Sequence, residues 1–555
     1  MNKNRLSRGL IIAAIAAMGT IFGVHHCFAL PGPHNAPPPS PQPVARVTPQ
    51  LIIKDIRLGV NFLLSQEDPK TLWEQKGPGI KYMNDIGGKT ALATEALLDV
   101  EQTLHLNRLN IFKPAMHRAI EYLVTHHYPT TYYSSFAANA LALLPHKSAY
   151  RRSLVLDGRF LLESIRPDGG YTYAWGPPAI KKYYARGLAN QIWDNSNTQY
   201  GVLGVWACAH YGIGIPSRYW EVAASHWRRK QSLDGSWGYG YFRGSGFALR
   251  SPQQRPSTFT PAGVASLLIC DEFLGAQEGG GRLPPDPAVI RGLAWINKHF
   301  PATTNDQYQM YGYERVGLAS GLAEFGGQNW YKAFAHTLTM VARPTPSGSW
   351  ASHFISEAAV GGQIIGTAYS LLILDRGLNP IFMSKLEYGK NYFGRWNIYP
   401  RDVANMTSYV TSHTESSLSW QVVNINSPVS QWLNSPILYI SGDRDPKFTK
   451  TQIDRLREYV DDGGLIYCAP VNGSFRFRQA MIKYAGEVVR HKYKFKSLTA
   501  KSELMQMQPY YHVFLPTMAM SNGVRYLWVI SPEDIGAVWQ RREFSRQTYW
   551  QFPIN

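Results

Sequence analysis

A short phrase recurs along this chain: a glycine turn ending on an aromatic residue, then a helix rich in small residues that opens at a threonine or tyrosine. Its fullest copy is Gln231-Ser-Leu-Asp-Gly235-Ser-Trp237, trailed by Phe259-Thr260-Pro-Ala-Gly263-Val-Ala-Ser-Leu267. Partial hooks read Arg166-Pro-Asp-Gly169-Gly-Tyr171 and Thr345-Pro-Ser-Gly348-Ser-Trp350. Helices of the second kind begin at Thr90, Tyr133, Thr198, Thr260, Tyr311 and Thr367, about 43, 65, 62, 51 and 56 residues apart. A loose period of this size marks a repeat architecture. One repeat cannot bury its apolar face alone, so neighbours must stack to complete the core.

Amphipathic partners precede these helices at Leu51–Ser65, Pro114–His126, Tyr150–Ser164, Ser217–Gln231, Pro287–Phe300 and Trp330–Val341. The partners carry Arg and Lys on one face, as outer helices do, whereas the small-residue set is apolar nearly all round. Six outer and six inner helices alternating along the chain are expected to close into a mainly α fold, an (α/α)6 toroid over residues 51–380. The insertions Gly169 to Trp193 and Gly235 to Arg255 are expected to cover one mouth.

At 45% hydrophobic and 17% charged residues, the 555-residue chain is neither disordered nor membrane-embedded. Lys3, Arg5 and Arg8 precede an apolar run from Gly9 to Val24, and Cys27-Phe28-Ala29 offers a small-residue cleavage site. Residues 1–29 therefore read as an export signal, with a retained anchor as the alternative, although the run is short for a membrane span. Residues 30–50 are a Pro-rich linker. The mature protein is expected to be periplasmic or extracellular, with no integral span once the signal is removed. A net charge of +18 attracts polyanions. Without an arginine-rich helix or nucleic-acid motif, an anionic envelope polymer or lipid head group is the expected neighbour, and nucleic acid is not. A generally basic protein with no such partner is the alternative. Cys208, Cys270 and Cys468 are too few for a disulfide scaffold. Cys208 and Cys270 take equivalent places on successive inner helices and read as packed thiols, with a bridge as the alternative.

Residues of roughly 50–380 resemble the squalene cyclase and protein prenyltransferase superfamily, and Gln231, Gly235 and Trp237 are similar to its QW motif. The segments Trp193-Asp-Asn-Ser-Asn197-Thr-Gln199-Tyr and Tyr311-Gly-Tyr-Glu-Arg315-Val-Gly317 resemble exported bacterial members of this repeat group. The resemblance implies a terpenoid-cyclase-type toroid, and its chemistry can be tested residue by residue. A type II cyclase protonates an alkene from an Asp-x-Asp-Asp-Thr-Ala setting. Laid on Asp194 to Gln199, that pattern keeps the first Asp and the Thr, but the proton donor falls on Ser196 and its neighbour on Asn197. A serine hydroxyl is far too weak an acid for this step. The zinc site of a prenyltransferase is not matched by Cys270-Asp271, and the Gly-Cys-Gly-Glu-Gln run of thioester domains does not occur.

What remains at the inner mouth is polar: Asp194, Asn197, Gln199, Glu314, Arg315 and Glu95, with Trp193 and Tyr311 beside them. These are the candidate ligand-binding residues. Asp194 and Glu314, if they face each other, are weak candidates for an acid and a base acting on a polysaccharide. The competing reading makes Asp194 and Asn197 caps of the Thr198 helix. His353 and Glu357 have a metal-like spacing but no third ligand nearby, so neither a metal nor a cofactor is expected. Gln231, Gly235, Trp237, Gly348 and Trp350 are read as structural.

After Gly377 strands alternate with helices. Trp420–Ile425, Pro436–Ser441, Leu465–Ala469 and Val524–Ile530 read as strands, and Thr449-Lys-Thr-Gln452 is a capping box opening a helix to about Val460. Strand, helix, strand in this order argue for a parallel α/β layer. The α/β domain is expected over residues 384–555, and roughly 384–540 of it resemble the bacterial domain-of-unknown-function family 4159, on Trp396-Asn397, Pro400-Arg401-Asp402, Pro436 to Gly442, Arg455 to Tyr459, Gly463-Gly464 and Ser531 to Asp534. That resemblance implies a glutamine-amidotransferase-like fold. Its chemistry needs a cysteine on a strand-to-helix elbow beside a histidine. Cys468 lies inside a strand, the elbow Val471-Asn472-Gly473 has no thiol, and His512 has no evident partner. The expected function is an exported protein holding an apolar or glycan ligand or serving as a scaffold. An enzyme of the cyclase-like superfamily, or a toroid hydrolase or lyase, is the alternative.

Overall fold

The structure is a computed structural model that describes residues 47–74, 87–172, 193–241, 255–275, 285–352, 360–389, 392–414, 417–499, 502 and 517–543. The expected signal and most of the linker lie outside the described residues, as do most of both insertions and His353, Glu357 and His512.

Helices come first, in two kinds. One kind is α1 (Pro49–Ser65), α3 (Pro114–Thr125), α5 (Ser148–Ser164), α7 (Ser217–Lys230), α9 (Pro287–His299) and α11 (Trp330–His336), the last continued by a π turn at Thr337–Val341. Each buries one face only. Between them run α2 (Gly88–Leu104), α4 (Thr131–Ala142), α6 (Asn195–His210), α8 (Pro256–Gly275), α10 (Gln307–Ser320) and α12 (Val360–Arg376). Nearly every described residue of these even-numbered helices is buried, apart from their last turns. Their packing order is α2 on α4, α4 on α6, α6 on α8, α8 on α10, α10 on α12, and α12 back on α2. Small residues permit this closeness: a Cβ added at Gly204 of α6 would stand 2.8 Å from the Ser135 Cα of α4.

The recurring threonines do not open the inner helices, as the sequence suggested, but sit inside them. Three of the four accept the backbone N–H of a hook aromatic: Tyr171 to Thr198 Oγ1 at 3.0 Å, Trp237 to Thr260 at 3.1 Å, and Trp350 to Thr367 at 3.0 Å. The aromatic then donates to the end of the preceding outer helix, at Leu161 O, Trp227 O or Leu338 O. The hook glycine bends back against the following outer helix. A Cβ at Gly169, Gly235 or Gly348 would lie 2.2, 2.6 or 2.3 Å from the carbonyl oxygen of Val222, Arg291 or Leu58. Leu58 is on α1, so the last hook meets the first helix by the contact that joins interior repeats.

Short strand pairs join Trp193–Asp194 (β1) to Gly240–Tyr241 (β2) and Glu324–Phe325 (β3) to Gln328–Asn329 (β4). A sheet follows, of β5 (Ile381–Glu387), β6 (Ser419–Asn424), β7 (Ile437–Gly442), β8 (Leu465–Pro470), β9 (Phe495–Ser497), β10 (Met518–Ser521) and β11 (Tyr526–Ile530). The order is β6-β5-β7-β8-β11-β10-β9, parallel through β11 and antiparallel beyond it. Period-two alternation sends Leu438, Ile440, Ile466 and Cys468 to one face, under α14 (Val429–Trp432), α15 (Lys450–Asp461) and α16 (Phe475–Val488). Tyr439, Tyr467 and Val529 go to the other, under α13 (Asp402–Thr414) and α17 (Ile535–Arg541). The capping box at Thr449 and Gln452 forms with both of its hydrogen bonds. From Val47 onward the chain is one unit. Val422 N donates to Gly321 O at 2.6 Å, and Leu322 bridges Val422, so the sheet edge is stitched to the end of α10.

Candidate functional site: the ring interior and its buried carboxyls

Asp194 has an extended backbone and a nearly inaccessible side chain. Its carboxylate accepts from Asn197 N at 2.7 Å and from the Asn197 amide group at 2.8 Å, which caps α6. Trp193 stands edge-on to His226 with the Lys230 ammonium 4.8 Å from its ring centre. One residue into the helix, Ser196 is fully buried and lies 2.5 Å from both the Tyr132 and the Tyr308 hydroxyls. Gln199 Nε2 donates to that same Tyr308 oxygen at 2.5 Å. Tyr200 and Tyr369 share a 2.7 Å hydrogen bond, and the Tyr311 ring lies 5.2 Å from that of Tyr369, tilted by 50°. Tyrosine rings thus occupy the space between α4, α6, α10 and α12.

Glu314 and Arg315 stand elsewhere. Tyr308, which feels the charge of Asp194, precedes Glu314 by about 9 Å of helix rise. Glu314 instead joins Glu95, Asp99 and Asp375, all buried, around the Arg376 guanidinium. Arg315 lies over its own helix neighbour, donating to the Tyr311 hydroxyl at 3.1 Å. Burial, reinforced by Asp99, pushes Glu95 up to about 8. Glu314 reaches about 8 through burial, with Arg376 opposing it and Asp99 assisting. Asp194 and Glu314 therefore have separate partners. Sequence reading found Glu95 but missed Asp99, Asp375 and Arg376. The four-residue spacing of Glu95 and Asp99 on an otherwise apolar helix was the available signal.

A further buried acidic residue, Glu272 on α8, was also missed. It accepts from Trp206 Nε1 at 3.2 Å and lies against His210, Arg401 and Arg542. The two arginines come from the sheet domain, and Arg401 also donates to Ala319 O at the end of α10. The sheet domain therefore sits over the ends of α6, α8 and α10. Within it, Lys385 is wholly buried on β5 and bonds to Asp402 at 2.6 Å and to Tyr399 O at 2.7 Å. A lysine inside the apolar run Ile381–Leu386 was the visible clue.

The Gln231 side-chain amide donates to Gly235 O and to Ala288 O at the start of α9, while Arg291 donates to Gln231 Oε1. The QW-like residues thus tie one repeat to the next. Cys208, Cys270 and Cys468 are free and buried. Trp528 Nε1 points at the Cys468 sulfur from 3.1 Å, and Asn472 occupies the elbow with φ +51°. Among the described residues no cluster of His, Cys, Asp and Glu is arranged to hold a metal, and no helix is long and apolar enough to cross a membrane.

No curated protein matches this chain. Among solved structures, the unliganded type II terpene cyclase MstE from Scytonema aligns with 59% of this chain and 99% of its own, at 15% identity and a TM-score of 0.37. A variant of that enzyme in complex with its substrate, geranylgeranyl dihydroxybenzoate, aligns with 59% of this chain and 98% of its own at the same identity and TM-score. A protein from Actinoplanes covers 59% of this chain and 99% of its own at 16% identity, with a TM-score of 0.35. Residues 383–553 match the family described as a domain of unknown function, DUF4159, so the chain carries a DUF4159 domain at its C-terminal end.

Proposed function

We propose that the protein is an exported, non-catalytic scaffold, an (α/α)6 toroid of the terpenoid-cyclase type bound rigidly to an amidotransferase-like α/β domain. The observation that carries this reading is Ser196. It stands where the cyclase resemblance would place the proton donor, buried and held between two tyrosine hydroxyls. Tyr200, Tyr308, Tyr311 and Tyr369, each at most 5% exposed, pack the interior beside it, and this favours a filled ring over a ligand chamber. The toroid assignment is supported by the packing order of the inner helices and the return of Gly348 onto α1. The amidotransferase-like assignment is supported by the run of parallel strands, and the lack of its chemistry by a buried Cys468 and an asparagine at the elbow. The net charge of +18 supports an anionic envelope polymer as partner.

The test is extraction of the purified full-length protein with organic and aqueous solvents, followed by mass spectrometry. A scaffold yields no stoichiometric small molecule. A co-purifying polyprenoid would overturn that reading in favour of lipid handling, and an oligosaccharide would turn it toward a glycan binder or the alternative ring hydrolase. Export is tested by N-terminal sequencing of the protein recovered outside the cytoplasm, where a start near residue 30 is expected.

A further inference from the structure

The helices that close the ring, α2 and α12, are the first and last of the inner set, and they meet through an unusual group. Thr103 on α2 donates to Asp375 on α12 at 2.6 Å and lies 2.9 Å from Asn379 Oδ1. Arg376 on α12 reaches Asp99 on α2 at 3.1 Å and Glu314 on α10 at 3.5 Å. Glu95 faces the same group from α2, and Arg315 and Tyr311 face it from α10. Tyr331 of α11 lies close enough to feel Asp375 and Glu314. Four buried carboxyls thus confront two half-buried arginines. One oxygen of each of the four, Glu95 Oε2, Asp99 Oδ2, Glu314 Oε2 and Asp375 Oδ1, has no hydrogen-bond donor among the described residues.

We propose that this seam is a proton-held clasp, closed while those of the four carboxyls of α2, α10 and α12 that the two guanidiniums do not balance retain protons, and loosened when all four ionise. Two positive charges balance two carboxylates, so the remaining carboxyls are tolerated in the interior only as neutral acids. The group titrates as a unit. The direction is uniform: burial raises Glu95, Asp99, Glu314 and Asp375 above their usual values, Glu95 and Glu314 to about 8. Arg376 is lowered by burial, but the surrounding carboxylates outweigh this and keep it charged. Ionisation in alkali adds like charges between α2 and α12, which the polypeptide itself connects only through all the helices between them. Separation there relieves the repulsion and admits water.

Amide hydrogen exchange on the full-length protein at pH 6.5 and pH 9, corrected for intrinsic rates, tests this. Protection of α2 and α12 is expected to fall at least tenfold at pH 9 while α6 and α8 stay within twofold. The doubly substituted variant Glu95→Gln, Glu314→Gln is expected to lose most of that pH response, and Glu163→Gln on the exposed face of α5 to keep it. An equal loss of protection in all inner helices, or none in any, overturns the proposal. So does a folded double variant with the full wild-type response. If the double variant does not fold, the regional pattern in the wild type decides.

Discussion

The Thr260 side chain accepts the buried amide of Trp237, and Thr260→Val keeps the volume while removing the acceptor. An unsatisfied buried N–H costs about 1–3 kcal/mol, so urea unfolding of this variant is expected to show a loss of that size. An unchanged midpoint would mean that the hook does not need its threonine. His226 supplies a residue-scale pH dependence. Burial holds it at about 4, against the charge of Asp168. A histidine lowered in the folded state contributes stability that is complete above its unfolded value of 6.5 and lost as pH falls through about 4. Denaturation followed from pH 7 to pH 4 is expected to show this acid limb, and His226→Gln to flatten it. Residue identities such as these were visible in the sequence. The partners were not, because Thr260 and Trp237 lie 23 positions apart and hydrogen-bond only once the hook has folded back.

Elements were more legible than their ends. The alternation of one-faced and all-round apolar helices was open to inspection because a 3.6-residue period survives without tertiary knowledge. Helix starts were misplaced because a threonine beside a run of small residues resembles a cap, whereas Thr198 and Thr260 sit inside their helices as acceptors. Strand β5 went unmarked since its apolar run is broken by Ser384 and Lys385, which bond to Gln421 and to Asp402. Joining one hook to the next outer helix is testable with glycines of like backbone and unlike surroundings. Gly348 has φ +93° and a virtual Cβ 2.3 Å from Leu58 O, whereas Gly212 has φ +90° with nothing within 4 Å. Backbone strain is common to both, while overpacking adds about 1–3 kcal/mol at Gly348 alone. Gly348→Ala is therefore expected to destabilise the fold more than Gly212→Ala by that margin, measured by the same urea titration. Equal effects would show that the last hook does not press on α1.

At the scale of the whole molecule, helical ring and sheet are welded through Glu272, which the arginines 401 and 542 approach from the sheet domain. Removing a buried carboxylate leaves its cations uncompensated, at about 3–5 kcal/mol. Calorimetry of the wild type is expected to give one transition, and Glu272→Gln to divide it into two or lower it sharply. A single unshifted transition would show that the weld lies instead in apolar packing, where Tyr392 and Trp420 of the sheet domain join the core of the helices. By itself the sequence determined the helix pairs and the later change to strands and helices, because these depend on local period and residue type. Tertiary structure alone decided that Asp194 and Glu314 have separate partners, that four carboxyls gather at the seam, and that Glu272 faces the sheet domain. A carboxyl's partners depend on which distant segment packs against it, and its charge on the water that this packing expels.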